Sequence, residues 1–292
     1  LGWPLALQAG VLMTFAGWIA GMSALWPLLW RDPGQTWHAR ACFAALVCGL
    51  IGLGCWVAFL FGASPRLAYC AFKLGTFGFL LPVYFTVAHR MFPFFAQSAI
   101  AGYRPWRPLW LLALLWMFAF VHLGLELVHA YRWLWLADAP LLALSLSMLW
   151  RWWPRAPQPF LLRALFIGLS WLPVTFALYL VQSIGYAVTG AYMLGRAPAH
   201  ALFVGFFGSV LVAMVTRVTQ GHSGRPLSMP PVARYAFLAV QAVAVLRIVA
   251  EVAPDAAAWQ AAAAIAWLLA LAPWALRIGH VVTTPRIDGK PG

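Results

Sequence analysis

Residues Ala41–Gly62 read ACFAALVCGLIGLGCWVAFLFG, a stretch without one charged, amide or hydroxyl side chain. A helix rising about 1.5 Å per residue needs about 20 such residues to cross the roughly 30 Å hydrocarbon core of a bilayer. Working outward from this stretch, the same apolar pattern recurs along the whole chain. Nine runs are read, at approximately 3–29, 38–62, 66–89, 107–127, 133–152, 161–184, 198–217, 232–252 and 257–281. The linkers are too short for a second domain, so residues 1–292 are read as a single transmembrane domain. No internal repeat is visible in the residues. The fold class expected is all-α, a polytopic transmembrane helix bundle. Lipid offers no partner for unpaired backbone groups, and the runs lack the alternation of barrel strands.

Composition agrees. Of the 292 residues, 64% are hydrophobic and 9% charged, where soluble domains run nearer about half and about a quarter. The net charge of +13 would suggest nucleic acid in a soluble protein. Here the basic residues lie between apolar runs, so they read as topology determinants and contacts to the lipid bilayer, with no nucleic acid. Alternate connections carry Arg31 and Arg40; Arg90, Arg104 and Arg107; Arg151, Arg155 and Arg163; Arg217, Arg225 and Arg234; and Arg277, Arg286 and Lys290. The opposite side carries only Arg66, Lys73, Arg132 and Arg196, and Arg247 lies inside a helix. This bias places the C-terminus in the cytoplasm and the N-terminus outside. The chain opens on Leu1 without a basic segment or cleavage site, which argues against a signal peptide and suggests a missing upstream piece. Cys42, Cys48, Cys55 and Cys70 form no CxxC pair and read as small buried hydrophobes.

Ionisable groups inside lipid are costly, so each is a functional candidate. The histidines fall into two layers. His38, His89, His222 and His280 lie near the cytoplasmic run ends; His122, His129 and His200 lie toward the outer side. His122, Glu126 and His129 share a helical face at i, i+4, i+7, provided the fourth helix continues that far. Asp138 opens the next helix, and His200 the seventh. Neutral imidazole suits copper, zinc or haem iron, and a carboxylate can orient the ring. The plain alternative is a set of hydrogen-bonded interfacial histidines. His200 and His222 are 22 residues apart, about 33 Å along a continuous helix, too far to share one metal.

Arg247 and Glu251, at i, i+4, read either as a salt bridge or as an arginine holding a cofactor carboxylate. The Gly-punctuated turn Arg217–Arg225, with His222 inside it, reads either as a capped helix end or as an anion-binding turn. Gly205 and Gly208 admit something close, a neighbouring helix or a flat tetrapyrrole. No nucleophile elbow, phosphate loop, zinc-protease motif or Rossmann fingerprint is present.

Four segments carry a resemblance. They are Pro198–Gly208 (PAHALFVGFFG), Met214–Leu227 (MVTRVTQGHSGRPL), His89–Phe95 (HRMFPFF) and Pro285–Gly289 (PRIDG). Together they resemble the signature of the NnrS family of bacterial inner-membrane proteins. The resemblance implies haem and copper as cofactors, and a place in nitric oxide metabolism, denitrification and tolerance of nitrosative stress. Members carry further helices upstream, one bearing a histidine, so the chain looks like the C-terminal part of a longer protein. Carried over by position, His89, His200 and His222 with Arg90, Arg217 and Arg225 are the functional residues implied. His200 would be an axial ligand, paired with His122 or His129. His222 and His89 would form an inner site, with the arginines as anion or propionate partners. Two other classes stay open: a transporter of a small solute or metal ion, and a non-catalytic sensor or assembly factor. Turnover of a substrate is not established by the residues.

Overall fold

The computed structural model describes residues 4–31, 34 and 36–289. Leu1 to Trp3, where the first apolar run opens, and Lys290 of the charge count lie outside the described residues. Among those described, nine helices are long and apolar enough to span a membrane, and there is no strand. They are α1 Pro4–Arg31, α2 Trp37–Leu60, α3 Arg66–Ala99, α4 Leu109–Leu127, α5 Tyr131–Trp152, α6 Phe160–Thr189, α7 Ala197–His222, α8 Pro231–Val249 and α9 Ala256–Val282. The protein is thus a multi-pass membrane protein of the expected all-α class.

Local chemistry sets the helix ends. Pro108, Pro159 and Pro230 precede α4, α6 and α8 in extended conformation, where a missing N–H costs nothing. Gly190, at φ 72°, closes α6 in the left-handed region that glycine enters freely. Asp255 caps α9 by accepting from the Ala258 N–H. The third and seventh helices depart from the sequence reading. The third runs ten residues past His89, through Pro93, to Ala99. The fourth stops at Leu127 in a paired terminus: the His129 N–H donates to the Glu126 carbonyl at 2.9 Å and the Ala130 N–H to Leu125 at 2.8 Å. That motif requires a left-handed residue, and His129 takes the position at φ 57°. The seventh, like the third, contains a π-helical segment, Ala201–Gly208 in α7 and Leu74–Leu80 in α3.

The contacts divide the chain into two compact units, Leu1–Met91 with Arg107–Ala137, and Phe92–Trp106 with Asp138–Gly292. In the second unit α6 and α7 form the centre, with more than half of their apolar stretches buried. Gly168 of α6 lets Ser209 and Val210 of α7 approach to van der Waals distance. A polar chain crosses this core: the Trp171 indole donates to Gln241 Oε1 at 2.7 Å, and Gln241 Nε2 donates to Ser209 Oγ at 2.7 Å. In lipid such groups bond one another, because no water is there to receive them. The outward faces of α9, with Ile265, Leu268 and Leu276 exposed, suit lipid. All four cysteines are free and half-buried rather than fully buried, because α2 and α3 leave one side open.

Candidate functional site

The second unit builds its cluster from the start of α7 and the end of α8. Glu251 is the hub. Its Oε2 accepts the Arg196 backbone N–H at 2.9 Å, and its Oε1 lies 3.1 Å from His200 Nε2 and 3.8 Å from Arg247 Nη2. Arg247 Nη2 also reaches His200 Nε2 at 2.7 Å. One imidazole nitrogen cannot accept from the guanidinium and donate to the carboxylate at once. Nε2 with its lone pair takes the arginine; Nε2–H takes the glutamate. The two neighbours therefore favour opposite tautomers. Burial pushes the Glu251 carboxyl up. The Arg196 N–H, His200 and Arg247 together outweigh burial and hold it below the usual carboxylate range.

Gly195 makes the approach possible. At φ 49°, a Cβ on it would stand 2.7 Å from Glu251 Oε2. Nothing in the sequence singled out Gly195; its requirement appears only once Glu251 is folded against it. Beside the cluster lies a cleft of about 430 Å³ walled by Val204, Val243, Ala263, Trp267 and Leu268, with His200 and Arg247 at its polar edge. The Gly205 question is answered by a side chain: Trp171 packs against it, so close that a Cβ would meet the ring at 2.5 Å. Gly208 faces Val240 and Trp267.

The first unit holds a comparable cluster. Lys73 Nζ is paired with Glu126 Oε2, and His122 Nε2 lies 3.5 Å from Glu126 Oε1. His122 is fully buried, and the Phe77 ring stacks on it at 4.0 Å between centroids. Lys73, one of the four basic residues of the less charged side, sits inside α3 and neutralises a buried carboxylate. His129 leaves the shared face because the helix has closed. Its Nδ1 lies 2.6 Å from the Tyr131 hydroxyl, which meets the Tyr69 hydroxyl at 3.0 Å; Tyr69 donates to the Glu126 carbonyl. Asp138 of α5 is fully buried and belongs to the second unit.

At the other end of the first unit, His89 pairs with His38. Its Nε2 lies 3.1 Å from the Pro108 carbonyl, which requires Nε2–H, and its Nδ1 then accepts from His38 Nε2 at 3.0 Å. His38 is thus one half of a histidine pair at the cytoplasmic-end layer. Its position on α2 carries no signal that a histidine 51 residues later will face it. Arg90 is exposed and its carbonyl lies 3.5 Å from Arg107 Nη1.

The turn after α7 is filled by the chain itself. Arg286 forks onto Asp288 at 2.9 and 2.6 Å and donates to the His222 carbonyl at 2.8 Å. Gly224, at φ 72°, leaves room for the Asp288 carboxylate, which a Cβ would meet at 2.7 Å. Two of the quoted motifs thus dock on each other, and the anion at the turn is Asp288. Of the other residues named there, the His222 side chain is exposed, Arg217 stacks on the Phe95 ring at 4.0 Å, and Arg225 is half-buried. Arg225 Nη1 is buried and lacks a hydrogen-bond partner among the described residues. His122 and His129 belong to the first unit and His200 to the second; likewise His89 and His222 lie in different units. Among the described residues no three His, Cys, Asp or Glu side chains converge as a metal site would need.

Fold and clusters together define the class: an all-helical multi-pass membrane protein with ion pairs built into its spanning helices. The chain belongs to the NnrS family, whose family model, described as NnrS protein, matches residues 1–286. No curated protein and no solved structure matches it.

Proposed function

We propose that this chain is a haem-binding protein of the bacterial inner membrane, acting in nitric oxide metabolism and the response to nitrosative stress. The observation that supports this best is the cleft at His200 and Arg247. Its lining suits haem: one imidazole nitrogen, one guanidinium and walls that are apolar apart from Gln260, around a volume of about 430 Å³. His200 Nε2 would hold the iron, in the tautomer that Arg247 favours. Arg247, once released from Nε2, would take a propionate as a charge-assisted pair. Glu251 would keep both side chains at the cleft edge. Haem bound there would supply an iron centre able to take nitric oxide as a ligand.

Copper is the second metal of this reading. The pair His38 and His89 supports it best, since the Pro108 carbonyl fixes the His89 tautomer and leaves Nδ1 as the acceptor. Arg90, Arg217 and Arg225 remain the candidate anion partners, and His122, His129 and His222 the further candidate ligands. The excess of Arg in alternate connections supports a cytoplasmic C-terminus and a periplasmic N-terminus.

The test is the visible spectrum of the chain purified from haem-replete cells. A Soret band is expected. It should vanish in His200→Ala and persist in His280→Ala, a change on the exposed side of α9. A parent protein with no such band refutes the proposal. One observation favours a second reading, transport of a small solute or ion: α3 and α7 are both interrupted by π-helical turns beside charged clusters. Uptake into proteoliposomes, abolished by Glu126→Gln, would favour that reading over the first.

A further inference from the structure

Two clusters of the same build, each beside a π-helical turn, invite a comparison of the elements that carry them. Lys73 is the last residue before the π segment of α3, and His200 the last before that of α7. These positions lie 127 residues apart, from 73 to 200. Each faces a glutamate at the end of the next helix, Glu126 or Glu251, preceded at i−4 by a basic side chain, His122 or Arg247. Those positions lie 125 residues apart.

Neighbouring residues follow the same register. Five and six places after the first member come Gly78-Phe79 and Gly205-Phe206; seventeen places after it come Arg90 and Arg217. Each of the two glycines receives a side chain from its unit's second helix, Cys48 from α2 and Trp171 from α6. A positive-φ glycine follows that second helix in both, Gly62 at 92° and Gly190 at 72°. An extended proline opens the fourth, Pro108 and Pro230. Helix for helix, α2 to α4 correspond to α6 to α8, and α1 and α5 precede them in chain order.

The copies differ where a ligand would enter. Four places after the first member stands Phe77 in one copy and Val204 in the other. Phe77 is 1% exposed and stacks on His122, which is sealed. Val204 is smaller and lines the open cleft beside His200 and Arg247. An aromatic ring at this position fills the volume that a valine leaves empty.

We propose that the chain is a tandem repeat of one four-helix unit, and that Phe77 and Val204 decide which of the two ionisable clusters admits a ligand. The second copy takes a flat apolar ligand bearing a carboxylate, and the first takes no ligand of that size. The ligand half rests on the reading of the His200 cleft given above; the repeat and the gating do not.

The test uses the full chain in detergent with diethyl pyrocarbonate as probe, and labelled histidines are mapped by mass spectrometry. In the ligand-free parent His200 should label and His122 should not. Val204→Phe should slow His200 labelling by about tenfold, and Phe77→Val should bring His122 up to the parent's His200 rate. Continued protection of His89 shows that a variant is folded; if Phe77→Val is not, Phe77→Leu replaces it. Unchanged labelling of His200 in V204F, or of His122 in a folded Phe77 variant, overturns the gating. In a second arm, metal-free protoporphyrin is titrated by absorbance. V204F should bind it about tenfold more weakly, equivalent to about 1.4 kcal/mol. A parent that binds none overturns the ligand half alone, and the labelling still decides the gating.

Discussion

Replacing Gly205 with alanine adds one methyl group at the most crowded glycine of the α6–α7 contact. The new Cβ would stand 2.5, 2.7 and 2.8 Å from three atoms of the Trp171 ring, all near the ring's fused bond and attachment point. Such atoms cannot swing aside as the tip of a flexible chain does. The ring must move as a whole or the helices must part. Overpacking of this kind costs about 1–3 kcal/mol. Trp171 also donates to Gln241 Oε1 at 2.7 Å, and losing that bond adds about 0.5–1.5 kcal/mol. Together these come to about 1.5–4.5 kcal/mol. Gly124 supplies the control, since a Cβ there meets nothing within 4 Å. In that helix alanine should be better than glycine by about 0.5–1 kcal/mol. The same chemical change thus carries opposite signs at two positions. Midpoints of unfolding in a denaturing-detergent titration would read both, and Gly205→Ala with Trp171→Leu should recover part of the loss. If Gly205→Ala is as stable as the parent, Trp171 does not occupy the space and the account of Gly205 is wrong.

Lys73→Met should destabilise the protein by about 3–5 kcal/mol, because it leaves Glu126, with a side chain only 5% exposed, as an unpaired buried charge. Adding Glu126→Gln should recover most of that loss in the same titration; a double variant no better than the single would contradict the pairing. The Glu251 carboxyl is held below its ordinary range, so its stabilising contribution is complete above the pKa of an unfolded glutamate and is lost as pH falls through the lower folded value. The melting-temperature advantage of the parent over Glu251→Gln should therefore be flat near neutrality and shrink in acid; growth in acid would refute the sign. Gly224→Ala forces a left-handed residue to carry a side chain against Asp288, and Asp288→Asn weakens the Arg286 fork. Both should hasten limited proteolysis after α9, and equal rates for parent and variants would count against the docked turn.

The nine spans were legible in the sequence, since spanning a bilayer demands about 20 apolar residues in a row and that demand is local. The resemblance was legible for a similar reason: its motifs are contiguous. Candidate residues at i, i+4, such as Arg247 with Glu251 and His122 with Glu126, could also be read, because helical spacing alone brings them to one face.

Partners far along the chain could not. Lys73 reads as one more basic residue of the less charged side until α4 brings Glu126 to it, His38 meets His89 only through the packing of α3, and the anion at the turn after α7 is Asp288. Each pairing joins residues more than fifty apart through helix packing, which depends on side-chain shape and which no periodicity encodes. His129 falls outside the shared face because it lies two residues past the end of α4, where the backbone closes on its own carbonyls. The π-helical turns, and with them the proposed correspondence of α2–α4 with α6–α8, leave only a few matched identities, Gly78-Phe79 with Gly205-Phe206 and Arg90 with Arg217. In lipid many apolar side chains satisfy the same position equally well, so the backbone can keep a register that the sequence no longer spells out.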